Sequence, residues 1–165
     1  MKKLTAIVYT SHTGFTRRYA GMLARASGIP AYDLSQRREL PAPGSAVLYL
    51  GWLCAGRIQG LSQARRRWEV RAVCAVGLAP MPPEGVDGLA AAHRLGGIPL
   101  FYLRGGYAPD RVRGMYRLMM QPMLRMTAKS QEPEQRVMHT VLVQGGDFTS
   151  EKLLSPVLTW LEFHT

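Results

Sequence analysis

The chain is poor in cysteine, poor in acid and free of any long apolar run. Cys54 and Cys74 are its only thiols, too few for a disulfide framework or a metal knuckle, so no metal is expected. No stretch reaches the roughly 20 uninterrupted apolar residues that a spanning helix needs, which leaves peripheral contact as the expected form of any membrane association. Lys2 and Lys3 precede only a short apolar run, unlike a secretory leader, and a cytoplasmic location is expected. A P-loop, with its Lys and several glycines, is missing, and so is the G-x-G-x-x-G turn of dinucleotide folds, which argues against nucleoside triphosphates. The shortage of acid is the largest imbalance: 11 Asp and Glu stand against 21 Lys and Arg, a net charge of +10. A basic surface favours anionic partners, whether nucleic acid, phospholipid headgroups or a substrate bearing carboxylates. Nucleic acid is the weakest of these, because Arg65-Arg66-Arg67 sits on an expected helix with no aromatic-interleaved motif beside it; the cluster reads first as a solvated helix end.

What is there suits a single globular domain over residues 1–165. The length is enough for one sizeable core, and 47 % hydrophobic content is not that of a disordered chain. Strand and helix signals alternate. Leu4 to Tyr9 is almost continuously apolar and β-prone, as a central parallel strand covered on both faces would be. Tyr19, Met22, Leu23 and Ala26 recur at helical spacing, and Gly28 supplies a left-handed stop. Further strands are expected at Ile29 to Leu34, Ala46 to Leu50, Val70 to Leu78 and Ile98 to Leu103. Helices are expected at Gln59 to Trp68 and, after the Pro80-Met81-Pro82-Pro83 break, at Val86 to Leu95. Ser35 to Gly44, with its charges, Pro41 and Pro43, is at most a short helix followed by a loop. This alternation implies an α/β fold with a doubly wound, five-stranded parallel sheet. Alternation alone does not set the strand order; in one common doubly wound order, 2-1-3-4-5, the ligand crevice would lie beyond the carboxyl ends of strands 1 and 3.

Ser11-His12-Thr13-Gly14-Phe15-Thr16 closes the first strand and opens the first helix. Its hydroxyls, a glycine that lets successive amides point outward, and the positive end of a helix dipole would meet a phosphate together. The plainer alternative is a turn whose Ser and Thr cap the helix. Its position at the end of the first strand favours the phosphate.

The turn fits the pattern [S/T]-x-T-G-x-[S/T] at Ser11, Thr13, Gly14 and Thr16, and in this the chain resembles the flavodoxin family. The resemblance implies that Ser11 to Thr16 wrap the 5′-phosphate of FMN through hydrogen bonds, without any Lys or Arg in the loop, and with His12 as a spacer. It also implies two contacts with the flavin ring. One is the segment after strand three, Gly51-Trp52-Leu53-Cys54-Ala55-Gly56-Arg57, read as a loop that offers Trp52, Leu53, Cys54 and Ala55. Trp52 is either a packing residue or a flavin contact; Cys54, with no second cysteine nearby, reads better as a small polarizable filler than as a redox thiol. The other is Gly77-Leu78-Ala79-Pro80, which offers Leu78, Ala79 and Pro80. Here the chain departs from its apparent relatives, which commonly stack a tyrosine on the ring; Leu78, Ala79 and Met81 cannot, so one flavin face is expected to be open. The charge is a second departure, since flavodoxins that shuttle electrons are typically acidic.

The last third carries a long insertion, about Arg104 to Gly146, between strand five and a final helix expected over Phe148 to Phe163 with Asp147 or Thr149 as cap. Arg113, Arg117, Gln121, Arg125 and Lys129 recur every fourth residue, bordering a broad apolar surface of Val112, Met115, Tyr116, Leu118, Met119, Met120, Met123, Leu124 and Met126. That is an amphipathic helix, bent or broken at Pro122. It is ordinary core, an interfacial helix, or an adaptable wall for a large flat ligand.

With Arg104-Gly105-Gly106-Tyr107 ahead of it, this insertion resembles that of the flavodoxin-domain group that includes the menaquinone-dependent protoporphyrinogen oxidases. The resemblance implies FMN-mediated removal of hydride equivalents from an anionic tetrapyrrole, with electrons passed to a membrane quinone at the inner face of the membrane. No side chain stands out as a general base. Two other functions stay open: an electron carrier that meets a redox protein through the flavin edge, and a cofactor-poor interaction module.

Overall fold

A computed structural model describes residues 1–165. Its strands and helices alternate as β1 (Ala6–Thr10), α1 (Phe15–Ser27), β2 (Ala31–Asp33), β3 (Ala46–Cys54), β4 (Arg57–Ile58), α2 (Leu61–Arg67), β5 (Glu69–Gly77), α3 (Gly85–Ala92) and β6 (Leu100–Arg104). The parallel strands lie in the order β2-β1-β3-β5-β6. The sheet differs from the expected five-stranded one by a sixth strand, β4, which pairs antiparallel with β3. The result is an α/β architecture with a mostly parallel sheet, compatible with a flavodoxin-like fold.

The period of two along a strand explains why helices cover both faces. On β1, Ile7 and Tyr9 pack with Tyr19 and Leu23 of α1 and with Val157 and Leu161 near the C-terminus, while Ala6 and Val8 pack with Leu61 and Ala64 of α2 and Leu89 of α3. Leu161 is therefore core. Helix α1 ends where the sequence says it should: Gly28 adopts φ 75° and its amide closes on the Ala24 carbonyl. The Arg65-Arg66-Arg67 cluster forms the exposed last turn of α2.

The segment after Leu50 is not a loop. Strand β3 runs on through Cys54 and folds back as β4, pairing Leu53 with Ile58 and Cys54 with Arg57. Ala55 and Gly56, at φ 50° and 75°, make the two-residue turn; two successive positive φ values suit a tight hairpin because they match the right-handed twist of its strands. Trp52, Leu53 and Cys54 are thus strand residues at fixed register, with Trp52 opposite Val76 of β5.

The insertion is a helical hairpin clamped at its base. Strand β7 (Gly106–Tyr107) leads to α4 (Met115–Lys129) and α5 (Pro133–Gln144), and β8 (Gly146–Asp147) returns antiparallel to β7. Gly106 has no room for a side chain: a Cβ there would lie 2.4 Å from the Gly146 carbonyl oxygen and 2.6 Å from the Phe15 ring. Thr127, the buried residue of α4, donates to the Met123 carbonyl and bonds His139 of α5. Pro122 does not break α4. It removes the amide that would donate to the Leu118 carbonyl, and Leu118 is exposed, where water can donate to that carbonyl in the missing amide's place.

The last helix begins later than expected. Asp147 accepts from the Thr149 amide and hydroxyl, a local turn that competes with helix. A 3-10 turn (Glu151–Leu154) follows, and α6 (Ser155–Glu162) starts with Pro156 in its first turn, where a missing N–H costs nothing. The Asp147 carboxyl is held below the usual range: burial pushes it up, but its bonds to Thr149 and the ion pair with Arg18 outweigh that. No helix is long and apolar enough to cross a membrane.

Candidate functional site

A cavity of about 200 Å³ opens at the carboxyl ends of β1, β3 and β5. The Ser11 to Thr16 turn forms one end of it, contributing Ser11, His12, Thr13, Phe15 and Thr16 to the lining. Gly14 does not line the cavity; it makes the turn, at φ 104°, and its amide donates to Ser11 Oγ at 3.2 Å. Thr16, only 2 % exposed, presents itself to the cavity from the first turn of α1. Hydroxyls and the positive end of a 13-residue helix converge there, which is the chemistry of an anion cradle.

Trp52, Leu53, Cys54 and Ala55 form a second wall, and Leu78 with Val76 and Gly77 a third. Ala79 and Pro80 do not line the cavity. The Tyr102 hydroxyl donates to the Ala79 carbonyl at 2.6 Å, and Arg104 Nε donates to the Leu78 carbonyl at 3.2 Å. These two bonds tie the segment down against β6. Burial pushes the Tyr102 hydroxyl up to about 12, so it keeps its proton and remains a donor.

The fourth wall comes from the insertion. Tyr107, Val112, Tyr116, Met119, Met120 and Met123 cover the side that the sequence left open. The amphipathic stripe and its methionines were the available signal for α4, and the wall is one of the readings it allowed. Ordinary core it is not, since Thr127 is its one buried residue. Gly105, Gly106 and Tyr107 carried no comparable signal, because only the pairing of β7 with β8 brings them here.

Three aromatic rings meet beside the phosphate-like turn. His12 stacks on Trp52 with centroids 5.2 Å apart, Tyr116 tilts onto His12 at 4.6 Å, and Tyr116 meets Trp52 edge-on at 4.8 Å. His12 is therefore more than a spacer. Burial first, and the Arg113 charge second, lower its pKa; the neutral ring accepts the Arg113 amide at Nε2, 3.4 Å away. The trio separates the apolar cavity from a polar crevice lined by Asp33, Ser35, Arg37, Gln59 and Gln63, to which Ser11, His12, Trp52 and Tyr116 also belong.

Burial raises the pKa of the Cys54 thiol, which suits a filler and not a redox thiolate. Burial likewise raises Tyr107, with the Arg117 charge opposing it. Arg111 reaches the turn directly, its Nη1 donating to the Thr13 carbonyl at 3.2 Å. Arg111 at Thr13 and Arg113 near His12 therefore place positive charge next to the turn whose hydroxyls line the cavity. In comparisons with protein-family models and with curated proteins, the sequence matches none.

Proposed function

We propose that this flavodoxin-like chain binds FMN in the cavity and acts as an oxidoreductase of the protoporphyrinogen oxidase type, passing electrons to a quinone at the cytoplasmic face of a membrane. One observation carries the reading: a hydroxyl-rich turn at a helix start opens directly into an apolar slot between Trp52 and the methionines of α4. The two halves match the two halves of FMN. Ser11, Thr13, Thr16 and the turn's amides would hold the phosphate, while Trp52, Leu53, Leu78 and Met119 would bound the flat ring and keep water from it. Bound there, FMN would accept hydride equivalents from an anionic organic donor and give electrons to the quinone. Arg113 and Arg117 place positive charge by the mouth for the donor's carboxylates, and His12, kept neutral, spends its acceptor on the Arg113 amide.

The test is an absorbance spectrum of the purified protein, followed by turnover of protoporphyrinogen with a quinone. Flavin bands and turnover are expected. Bound FMN without turnover would favour an electron carrier with no small substrate of its own, and no flavin under any loading condition would leave an interaction module.

A further inference from the structure

We infer that Arg111, delivered by the insertion, selects for a phosphate monoester at the Ser11 to Thr16 turn, so that the insertion is part of the cofactor's recognition and not only a cover for its ring. This rests on the flavin reading of the cavity, and it adds a charged ligand to a loop that otherwise relies on neutral donors.

The placement is held by a short strap. The Arg111 amide donates to the Ala108 carbonyl at 2.9 Å, making a turn. Val112, 5 % exposed, plugs into the cavity wall next to it, and the Arg113 amide fastens the strap to the His12 ring. With its neighbours fixed on both sides, the Arg111 side chain lies over the turn: Nη1 bonds the Thr13 carbonyl, and a Cβ built on Gly14 would sit 3.6 Å from the same nitrogen.

The guanidinium spends little of its capacity there. It offers five N–H donors, and the carbonyl uses one. The chain's three ion pairs join Lys2 and Arg71 to Glu69 and Arg18 to Asp147, so Arg111 has no carboxylate to neutralise it. A full charge with unused donors at the Thr13 carbonyl and beside Gly14, on the turn whose Ser11, Thr13 and Thr16 line the cavity, is matched to a dianionic oxyanion, because charge-assisted bonds are about twice as strong as neutral ones. A flavin lacking its phosphate leaves that charge unanswered. Selection is therefore expected in the ratio of FMN to riboflavin affinities, and not in ring binding itself.

The experiment titrates the full chain with FMN and with riboflavin by fluorescence, comparing wild type, Arg111→Gln, Arg111→Lys and Arg66→Gln, the last removing the same charge from the exposed end of α2. Arg111→Gln is expected to weaken FMN by about tenfold to a hundredfold with riboflavin unchanged, Arg111→Lys to keep most of the preference, and Arg66→Gln to keep all of it. An unchanged FMN-to-riboflavin ratio in Arg111→Gln overturns the inference while leaving the flavin reading standing. A wild-type chain that takes neither flavin removes that reading. Thermal shift with inorganic phosphate then decides the arginine separately: stabilisation lost in Arg111→Gln supports it, and stabilisation absent or retained overturns it.

Discussion

Ser11 and Thr13 divide the labour of the turn. Ser11 Oγ already accepts the Gly14 amide, which shapes the loop and leaves the hydroxyl's own hydrogen free for an anion. Thr13 gives its carbonyl to Arg111 and lines the cavity as well. On the proposed flavin reading, removing the Thr13 hydroxyl would take a donor from the phosphate without disturbing the contact of Ser11 with the Gly14 amide. Thr13→Ala is expected to cost about 1 to 2 kcal/mol of FMN binding, roughly five- to thirtyfold in Kd, with Thr13→Ser close to wild type. Fluorescence titration measures it, and equal affinity in all three proteins would mean that the turn does not hold the phosphate. His12 makes a prediction about pH. Its folded pKa lies below the ordinary value, so the fold disfavours the charged ring. The stability this represents is present above the unfolded value near 6.5 and is lost as pH falls through the lowered folded value. Protonation also removes the acceptor that the Arg113 amide uses. Melting temperature is expected to drop more steeply between neutral and mildly acidic pH in wild type than in His12→Gln; parallel curves would refute the coupling.

Among the elements, the hairpin of β3 and β4 decides where Trp52 points, and its far end is fixed by a close approach at Gly60. The Tyr49 hydroxyl bonds Thr10 Oγ1 at 2.7 Å and donates to the Gln59 carbonyl at 2.6 Å. A Cβ on Gly60 would fall 2.2 Å from that hydroxyl and 2.6 Å from Thr10 Oγ1, at φ 76°. Gly56, at φ 75°, has nothing within 4 Å. The pair separates strain from collision. Gly56→Ala is expected to cost about 1 kcal/mol from backbone alone, and Gly60→Ala about 2 to 4 kcal/mol because overpacking adds to it. Urea midpoints would show the difference, and equal losses would mean that the Tyr49 cluster yields freely. The elements that were legible in the sequence share a local cause: the apolar run of β1, the helical spacing and Gly28 stop of α1, and the Ser11 to Thr16 turn are all written within a few residues. What was missed is non-local. Gly51 to Cys54 looks like a glycine-flanked loop until Ile58 pairs with Leu53. The clamp of Gly106 and Tyr107 on Gly146 and Asp147 closes across the whole insertion, with no periodicity short enough to announce it. Ala79 and Pro80 follow the end of β5 but do not line the cavity, and the Ala79 carbonyl is bonded to a hydroxyl that belongs to β6.

For the molecule as a whole, charge and exposed apolar surface coincide on the insertion. Met115, Leu118 and Met126 of α4 are 74 %, 72 % and 62 % exposed, and Arg117, Arg125 and Lys129 share the same helix. Met119 and Met123 belong both to this surface and to the cavity wall, so the cavity reaches outward through the helix that would meet a membrane. At a membrane two forces would act together: burial of methionine and leucine among acyl chains, and attraction of arginines to anionic headgroups. They separate by salt, because the Debye length shrinks from about 10 Å at 0.1 M to about 3 Å at 1 M while apolar burial does not weaken. The full chain is expected to sediment with vesicles containing phosphatidylglycerol at low salt, less so with pure phosphatidylcholine, and to lose most of that difference at high salt. Leu118→Glu with Met126→Glu should abolish binding to both lipids while FMN affinity holds, since neither residue lines the cavity. Binding that survives the double substitution would place the contact on the remaining basic surface, and binding indifferent to lipid charge and salt would remove electrostatics from it. If the vesicles also raise turnover with a lipid-soluble quinone but not with a water-soluble one, the methionine wall is the route between the cavity and the bilayer.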